Sequence, residues 1–316
     1  MKPKVRVFAP ATVANLGPGF DVLGLALQSP GDLLEAELSD RPGVEIVSVT
    51  GEGGLLSLDP AINVAGRSAA DVLRRAVEKG AAGGVGVRLW LHKQMPLASG
   101  LGSSGASSAA GAFAVNELLD HPLSQIEIVL SAMEGERAAS GSAHADNVAP
   151  SVMGGIVLVR SYHPFEIVAL PVPADLWVSV VHPHCQVSTS EARRLVNSQK
   201  YPIEQIVPNL GNIAAFVAAL SLGDLALLGR SIDDRLIEPL RERLIPGFRA
   251  VKQSAVDSGA LGSSIAGSGP SVFAFSSGEA VARKVGSAMQ AAFRSAANLD
   301  SDAYVGTVNT QGVRVL

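Results

Sequence analysis

Residues 95–119, MPLASGLGSSGASSAAGAFAVNELL, form a glycine, serine and alanine run with no charged side chain before Glu117. A strand-like stretch, VGVRLWL at 85–91, precedes it, and its second half has the small side chains of a closely packed helix. A chain in this order makes a tight turn between strand and helix. Glycines in such a turn let the backbone approach a ligand closely, and the helix start adds orphan N–H donors and a partial positive charge. Together these features hold an anion without a lysine. Ser103 or Ser104 is expected to cap the helix.

Gly100, Gly102 and Gly105 also spell G-x-G-x-x-G, the local pattern of a dinucleotide-binding turn. That fold continues into a strand ending in an acidic residue ~20 residues on. Here the chain runs through Asp120-His121-Pro122 into another helix. Neither G-x-x-x-x-G-K-[ST] nor G-x-S-x-G occurs. A plain turn explains one or two glycines but not the paired serines. A phosphate site built from backbone survives these comparisons.

The 316 residues suit two domains sharing a cleft. With 17% charged residues, a net charge of -4 and no basic block, the chain has no nucleic-acid footprint. Small molecules are the expected partners. The single cysteine, Cys185, makes no internal disulfide and, beside His184, lacks metal-ligand spacing. The segment MKPKVRVFAPATVANLGPGF has no apolar targeting stretch, so the expected location is cytoplasmic. The apolar segment at 213–228 is broken by Asp224 and falls short of the ~20 residues that span a bilayer. It reads as a buried helix, with no membrane partner.

Period-two alternation predicts strands at 4–10 and 33–39, separated by Pro30-Gly31, with an exposed bend at 15–21. A helix is expected at 63–79. Another opens on the capping box Ser124-Gln125-Ile126-Glu127 and ends near Ser140. Its apolar face, Ile126, Val129 and Met133, continues to Glu136, which places that carboxylate on the buried stripe. A strand at 151–159 and a proline-marked junction at Pro164, Pro171 and Pro173 follow. The second half reads as a strand at 176–183, a helix through EARRLV, a helical stretch at 204–257, strand-turn-strand at 263–277, a helix at 279–297 and a strand at 303–308. This is an α+β order.

Five segments in sequence order resemble the motifs of the GHMP kinase family. MPLASGLGSSGA at 95–106 resembles its phosphate-binding motif, ANLGPGFD at 14–21 its N-terminal substrate motif, and AGSGPS at 266–271 its C-terminal glycine motif. SGSAHADN at 140–147 and IEPLRERLIPGF at 237–248 extend the likeness. The resemblance implies the two-domain GHMP kinase fold, α+β overall. Residues 1–165 would form an N-terminal α/β domain with a left-handed β-α-β unit, and residues 166–316 a C-terminal ferredoxin-like domain. A left-handed crossover is rare on general grounds, so it rests on the resemblance alone.

The same resemblance implies an ATP-dependent kinase acting on an alcohol. Its acceptor would be L-homoserine and its product O-phospho-L-homoserine, on the route to threonine. Pro96, Leu97, Ala98, Ser99, Gly100, Leu101, Gly102, Ser103, Ser104, Gly105 and Ala106 would cradle the ATP phosphates, with Gly267, Ser268 and Gly269 closing beside them. Mg2+ would be bound by Ser104 and Glu136. On residue type alone, Glu136 also reads as a partly buried acid paired with a neighbour such as Arg137 or Arg193, but its stripe position and the motif match favour the metal role. Asn63 and Lys93 match positions near the adenine and ribose, although Lys93 also reads as a strand-end surface lysine.

For the acceptor, the resemblance assigns Asp21 to the ammonium and Arg193 and Arg241 to the carboxylate. Asn15, His144, Asn147 and Thr189 complete the wall. Mevalonate-type members carry a basic aspartate where this chain has Asn147, so transfer without a strong protein base is expected. The implied catalytic set is Ser104, Glu136, Asn147 and Arg193. A homodimer is a family expectation only. A GHMP kinase for a different small alcohol, or a non-catalytic relative, remains the alternative.

Overall fold

Alternation in KVRVFA turns Val5, Val7 and Ala9 inward and Lys4 and Arg6 outward, which defines the first strand, β1 (Lys4–Ala14). The computed structural model describes residues 2–51, 53–81, 83–140 and 144–316. After β1 come β2 (Leu23–Ser39), β3 (Gly43–Thr50), α1 (Val64–Glu78), β4 (Gly86–His92), α2 (Ser103–Leu118), α3 (Gln125–Ser140), α4 (Ala145–Met153), β5 (Ile156–Tyr162) and β6 (Phe165–Leu170). The second half contains β7 (Leu176–Pro183), α5 (Thr189–Asn197), α6 (Ile203–Leu222), α7 (Leu225–Ser231), α8 (Glu238–Arg241), α9 (Phe248–Asp257), β8 (Gly262–Ile265), β9 (Val272–Ser277), α10 (Glu279–Ala297), β10 (Ser301–Thr307) and β11 (Arg314–Val315).

The first sheet runs β11-β1-β2-β4-β3, with β5 on β2 and β6 on β5. Among the described strands only β3 and β4 pair in parallel, and α1 connects them. Sheet membership changes between Leu170 and Leu176 rather than at 165, and β11 returns the chain to the first sheet. The second sheet, β10-β7-β9-β8, is antiparallel throughout. With helices between β7 and β8 and between β9 and β10, it is ferredoxin-like. Its two faces serve different cores. Val178, Val180, Phe273 and Phe275 join the core of the first sheet, while Val181, Val272 and Ala274 pack with Val251, Met289 and Phe293. Period two thus lets one sheet bind both halves together.

α2 sits in the middle. It is lined almost wholly by small buried residues, and a helix that is non-polar all round belongs in a core. Beneath its first turn, Lys93 forms a buried ion pair with Asp32 and donates to Ser103 O at 2.9 Å and Ser107 Oγ at 2.9 Å. Asp32 also accepts from the Gln94 amide at 3.0 Å.

Several expectations are corrected. β2 runs unbroken through Pro30-Gly31, and the irregularity is absorbed as a register shift against β1 between Pro10 and Thr12. Residues 15–19 are buried instead of forming an exposed bend, because the second half covers them. Asn209 Nδ2 donates to Pro18 O at 3.1 Å, and Asn15 Nδ2 to Gly267 O at 2.8 Å. The strand expected at 151–159 starts at Ile156, since Ser151, Val152 and Met153 finish α4, where Val148 and Val152 bury on one helical face. α2 is capped by Gly102, without a side-chain bond, and not by Ser103 or Ser104. The capping box at Ser124 and Glu127 forms as expected, but Ile126 faces out at 38% exposure while Val129, Met133 and Glu136 are buried. α6 is not a buried helix. It alone among the described helices is long and apolar enough to cross a membrane, only 22% of that stretch is buried, and Ile203, Val207, Leu210 and Leu222 are exposed. It ends at Gly223, and Asp224 caps α7.

The Lys93–Asp32 pair makes a direct prediction. Lys93→Met leaves a carboxylate in the core without its cation, which costs about 3–5 kcal/mol, whereas an apolar replacement of both partners is close to neutral. Chemical denaturation is expected to show the large loss in Lys93→Met and recovery of most of it in Lys93→Met/Asp32→Leu.

Candidate active site

The loop before α2 is shaped by two glycines. Gly102 is left-handed (φ 65), and a Cβ there would lie 2.0 Å from Thr12 Oγ1. Gly100 (φ 80) would place a Cβ 2.5 Å from the Ala266 carbonyl oxygen and 2.8 Å from that of Gly269. Neither position admits a side chain. The loop is therefore clasped between two distant segments. Thr12 N donates to Leu101 O at 3.0 Å, Ser271 N to Ser99 O at 3.2 Å, and Gly267 N to Ala14 O at 3.2 Å. The sequence motifs around 14–21, 95–106 and 266–271 thus meet in space. The first turn of α2 holds no acidic residue, so its dipole and opening amides remain available to an anion.

Ser104, exposed on that first turn, donates to Glu136 Oε2 at 3.1 Å. Glu136 is 9% exposed, and burial raises its pKa against the opposing effects of Ser104 and the Lys93 charge. Neither Arg137 nor Arg193 is its partner: Arg137 pairs with Glu134 and Arg193 with Asp21. Two other nucleotide candidates have structural duties. Lys93 is buried under α2 and is not a surface lysine. Asn63 caps α1, accepting from Ala65 N at 3.0 Å and donating to Ser57 O at 2.9 Å. Pro96 and Leu97 are half-buried along the loop, Ala98 is exposed in a left-handed conformation (φ 53), and Gly105 and Ala106 are buried in α2.

Across from the loop, Asp21 sits at the end of the covered bend, its amide donating to Asn15 Oδ1 at 3.2 Å. Arg193 of α5 grips its carboxylate with both ends of the guanidinium, at 2.5 and 2.9 Å. Arg193 Nη2 also lies 3.0 Å from His144 Nε2. A guanidinium only donates, so His144 Nε2 accepts and its proton sits on Nδ1, 3.6 Å from Asp21 Oδ2. Burial lowers the His144 pKa, with Asp21 opposing. Arg241 of α8 is 4% exposed and donates to Gly267 O at 2.7 Å. The guanidinium carbons of Arg193 and Arg241 lie 4.8 and 5.0 Å from the Phe20 ring centre. Among the described residues Arg241 forms no ion pair and its Nε has no acceptor. Burial and the Arg193 charge push its pKa down to about 10. In this corner Asp21 is the one carboxylate in ion-pair contact with the two guanidiniums among the described residues, while the buried Asp146 and Asp234 act on Arg241 without pairing with it.

Thr189 Oγ1 and Ser268 Oγ lie 3.3 Å apart, joining the start of α5 to the second glycine turn. Asn147 Oδ1 accepts from Thr12 Oγ1 at 2.7 Å. Of the segment at 140–147, Gly141, Ser142 and Ala143 lie outside the described residues. Asp146 is buried, its Oδ1 has no partner among the described residues, and burial with the Asp21 charge pushes its pKa up to about 7. No cluster of three metal-ligating His, Cys, Asp or Glu residues occurs among the described residues.

Residues 63–155 match the GHMP kinases N terminal domain, and residues 215–295 match GHMP kinases C terminal. The chain belongs to the GHMP kinase family. A homoserine kinase of Chlorobaculum tepidum is 46% identical over 319 residues, covering 99% of this chain and 98% of the relative. A homoserine kinase of Pyrococcus abyssi is 41% identical and covers 92% of each chain. The crystal structure of homoserine kinase from Cytophaga hutchinsonii matches with a TM-score of 0.94 and 49% identity, covering 100% of this chain and 98% of that one. The L. major mevalonate kinase structure, at 18% identity and a TM-score of 0.72 over 99% of this chain and 97% of that one, shares the fold.

In this GHMP kinase the sequence reading missed four site residues. Thr12 orients Asn147, Phe20 carries both guanidiniums, and Tyr162 ties Asp21 to α4 by donating to Asp21 O at 3.1 Å and accepting from Ala145 N at 3.2 Å. Ser271 grips the loop at Ser99. Phe20 and Ser271 lie within the motifs at 14–21 and 266–271, and Thr12 is a polar residue on the inward face of β1, so three of the four carried a signal in the sequence.

Asp146 makes a pH prediction. Its folded pKa of about 7 exceeds the ordinary 3.8, so between these values the folded state holds a proton the unfolded state has lost. This group's contribution therefore becomes more favourable as pH falls from about 7 towards 4. Asp146→Asn removes that dependence. Thermal unfolding is expected to show the variant gaining on the parent at pH 8, with the difference narrowing below pH 7 and closing near pH 4.

Proposed function

We propose that this chain transfers the terminal phosphoryl group of ATP to the side-chain hydroxyl of L-homoserine, giving O-phospho-L-homoserine for threonine synthesis. The observation that carries the proposal is the corner of Asp21, Arg193 and Arg241 around Phe20. An α-amino acid offers an ammonium to Asp21 and a carboxylate to the guanidiniums. Each charge that leaves the Asp21–Arg193 pair is replaced by one of the same sign, which limits the desolvation penalty. Mevalonate and sugars lack the ammonium. Relatives at 46% and 49% identity called homoserine kinase support the same reading.

The residues divide the work by charge. The loop at 96–106 and the start of α2 receive the phosphates through backbone donors, and the turn at 267–269 closes the opposite side. Ser104 and Glu136 fit Mg2+, because a hydroxyl and a buried carboxylate 3.1 Å apart are the hard oxygen ligands it takes. When bound, the ion would neutralise charge on the phosphate oxygens. Asn147 accepts from Thr12, which leaves its amide N–H groups as donors for the acceptor hydroxyl. An amide is no base. The hydroxyl is therefore positioned, and its proton departs late to phosphate or solvent. His144, Asn15 and Thr189 hold the rest of the wall. A homodimer belongs to the same proposal, supported by the apolar face that α6 leaves exposed.

A coupled ADP-release assay with homoserine, mevalonate and galactose tests the function. Turnover with homoserine alone is expected, and turnover with mevalonate or galactose alone would sink the proposal. Hydrogen bonds to charged groups contribute about 1.5–3 kcal/mol, so Asp21→Asn should raise the homoserine KM roughly ten- to hundredfold and leave the ATP KM nearly unchanged. For the assembly, sedimentation velocity is expected to show a dimer that Leu210→Glu converts to monomer.

A further inference from the structure

His182 lies in β7, inside the second sheet, and is 4% exposed. Its Nδ1 is 3.1 Å from Ser271 Oγ. That hydroxyl has one proton, which it donates to the Ser99 carbonyl oxygen at 2.6 Å, an atom that can only accept. Ser271 Oγ must therefore accept from the imidazole, which puts a proton on His182 Nδ1. The Ser271 amide donates to the same Ser99 oxygen at 3.2 Å. One carbonyl of the glycine loop is thus held by two donors from the second half of the chain. The shorter bond is backed by a buried histidine.

The consequence follows from peptide geometry. In a trans peptide the C=O of one residue and the N–H of the next point in opposite directions. The Ser99–Gly100 bond is not among the cis peptides, so drawing the Ser99 carbonyl towards Ser271 turns the Gly100 amide the other way. That amide finds no acceptor among the described residues.

We propose that His182 is a positioning residue for the phosphate loop: through the Ser271 hydroxyl it fixes the Ser99 peptide and so aims the Gly100 amide at the ATP phosphates. This rests on the reading of residues 96–106 as the ATP cradle. Burial lowers the His182 pKa, with His184 adding to and Asp302 opposing the shift, so the ring is neutral near pH 7. Protonation would leave the Nδ1 donor in place. Substitution, not pH, is therefore the informative test.

Asparagine can present an N–H close to where histidine presents Nδ1, and leucine presents none. His182→Leu is expected to raise the ATP KM about fivefold or more, the scale of one lost hydrogen bond, while the homoserine KM stays within about twofold. His182→Asn is expected to restore most of the ATP affinity. Ser271→Ala, which keeps the backbone bond to Ser99, should reproduce the leucine effect. The His182→Leu/Ser271→Ala double variant should be no worse than either single one, because both cut the same link. If His182→Leu does not fold, Ser271→Ala and His182→Asn carry the test by the same KM comparison. An unchanged ATP KM in a folded His182→Leu or Ser271→Ala enzyme overturns the proposal, as do fully additive effects. Parent enzyme that binds no ATP in a calorimetric titration overturns the cradle reading and this proposal with it. Parent that binds ATP beside variants that bind equally well overturns this proposal alone.

Discussion

Two stretches of main chain meet at the glycine turn more closely than any side chain would allow. At Gly100 the backbone of 266–269 occupies the space of a Cβ, and at Gly102 the Thr12 hydroxyl does. Everything else in the site depends on this contact, because it joins the end of β1, the start of α2 and the turn before β9. The positions of Asn15, Arg241 and Ser271 follow from it, since each bonds a backbone carbonyl on one of these segments: Asn15 and Arg241 share Gly267 O, and Ser271 takes Ser99 O. Side chains from both halves of the chain are thereby referred to one rigid frame. Placement of reacting groups to a fraction of an ångström requires such a frame.

Charge is distributed around that frame with a clear division. The loop itself has none, so nothing within it competes for an anion. Lys93 supplies the nearest buried cation, but it is spent on Asp32 and on the carbonyl of Ser103, beneath the helix start. It braces the first turn of α2. The acceptor corner follows the opposite rule. Arg241 is buried without an ion-pair partner among the described residues, next to a second guanidinium, and one phenyl ring carries both. Leaving a cation in that state is costly. A carboxylate from the proposed acceptor would offset that cost beyond what the Asp21, Asp146 and Asp234 charges already do.

Local patterns were legible where structure is decided locally. The strands of alternating residues, the capping box at Ser124, the helix ending at Ser140 and the strand-helix junction around residue 100 can all be read from a few neighbouring residues. The placement of Glu136 on a buried stripe came from spacing of the same kind. What escaped depends on distant parts of the chain. The bend at 15–19 has turn residues and looks exposed until Asn209 and Gly267 cover it. Lys93 looks like a surface lysine because Asp32, on another strand, is invisible in its neighbourhood. Pro150 and the apolar run after it resemble a strand entry, yet they close α4. The αL cap at Gly102 displaced the two serines because the Thr12 contact fixes that residue first. The resemblance to GHMP kinase motifs brought Asp21, Arg193 and Arg241 to one site ahead of any geometry; what it did not reveal is that Asn63 also caps α1 and that Lys93 also forms a buried ion pair with Asp32.

The arrangement around Asn147 bears on how phosphoryl transfer can proceed without a base. Thr12 donates to the amide oxygen, which fixes the side chain with its N–H groups as the remaining hydrogen-bonding face. The adjacent carboxyl, Asp146, is buried with its Oδ1 unpartnered among the described residues, and burial with the Asp21 charge pushes its pKa up to about 7. Asn147 itself, which the proposed transfer sets beside the acceptor hydroxyl, has no basic atom to offer. In the proposed transfer the barrier would be lowered chiefly through the charge that develops on the phosphoryl oxygens. Such a transfer would place the demand on backbone donors of the glycine loop, where Ser271 and the turn at 266–269 converge on Ser99 and Gly100 and Thr12 of β1 holds Leu101.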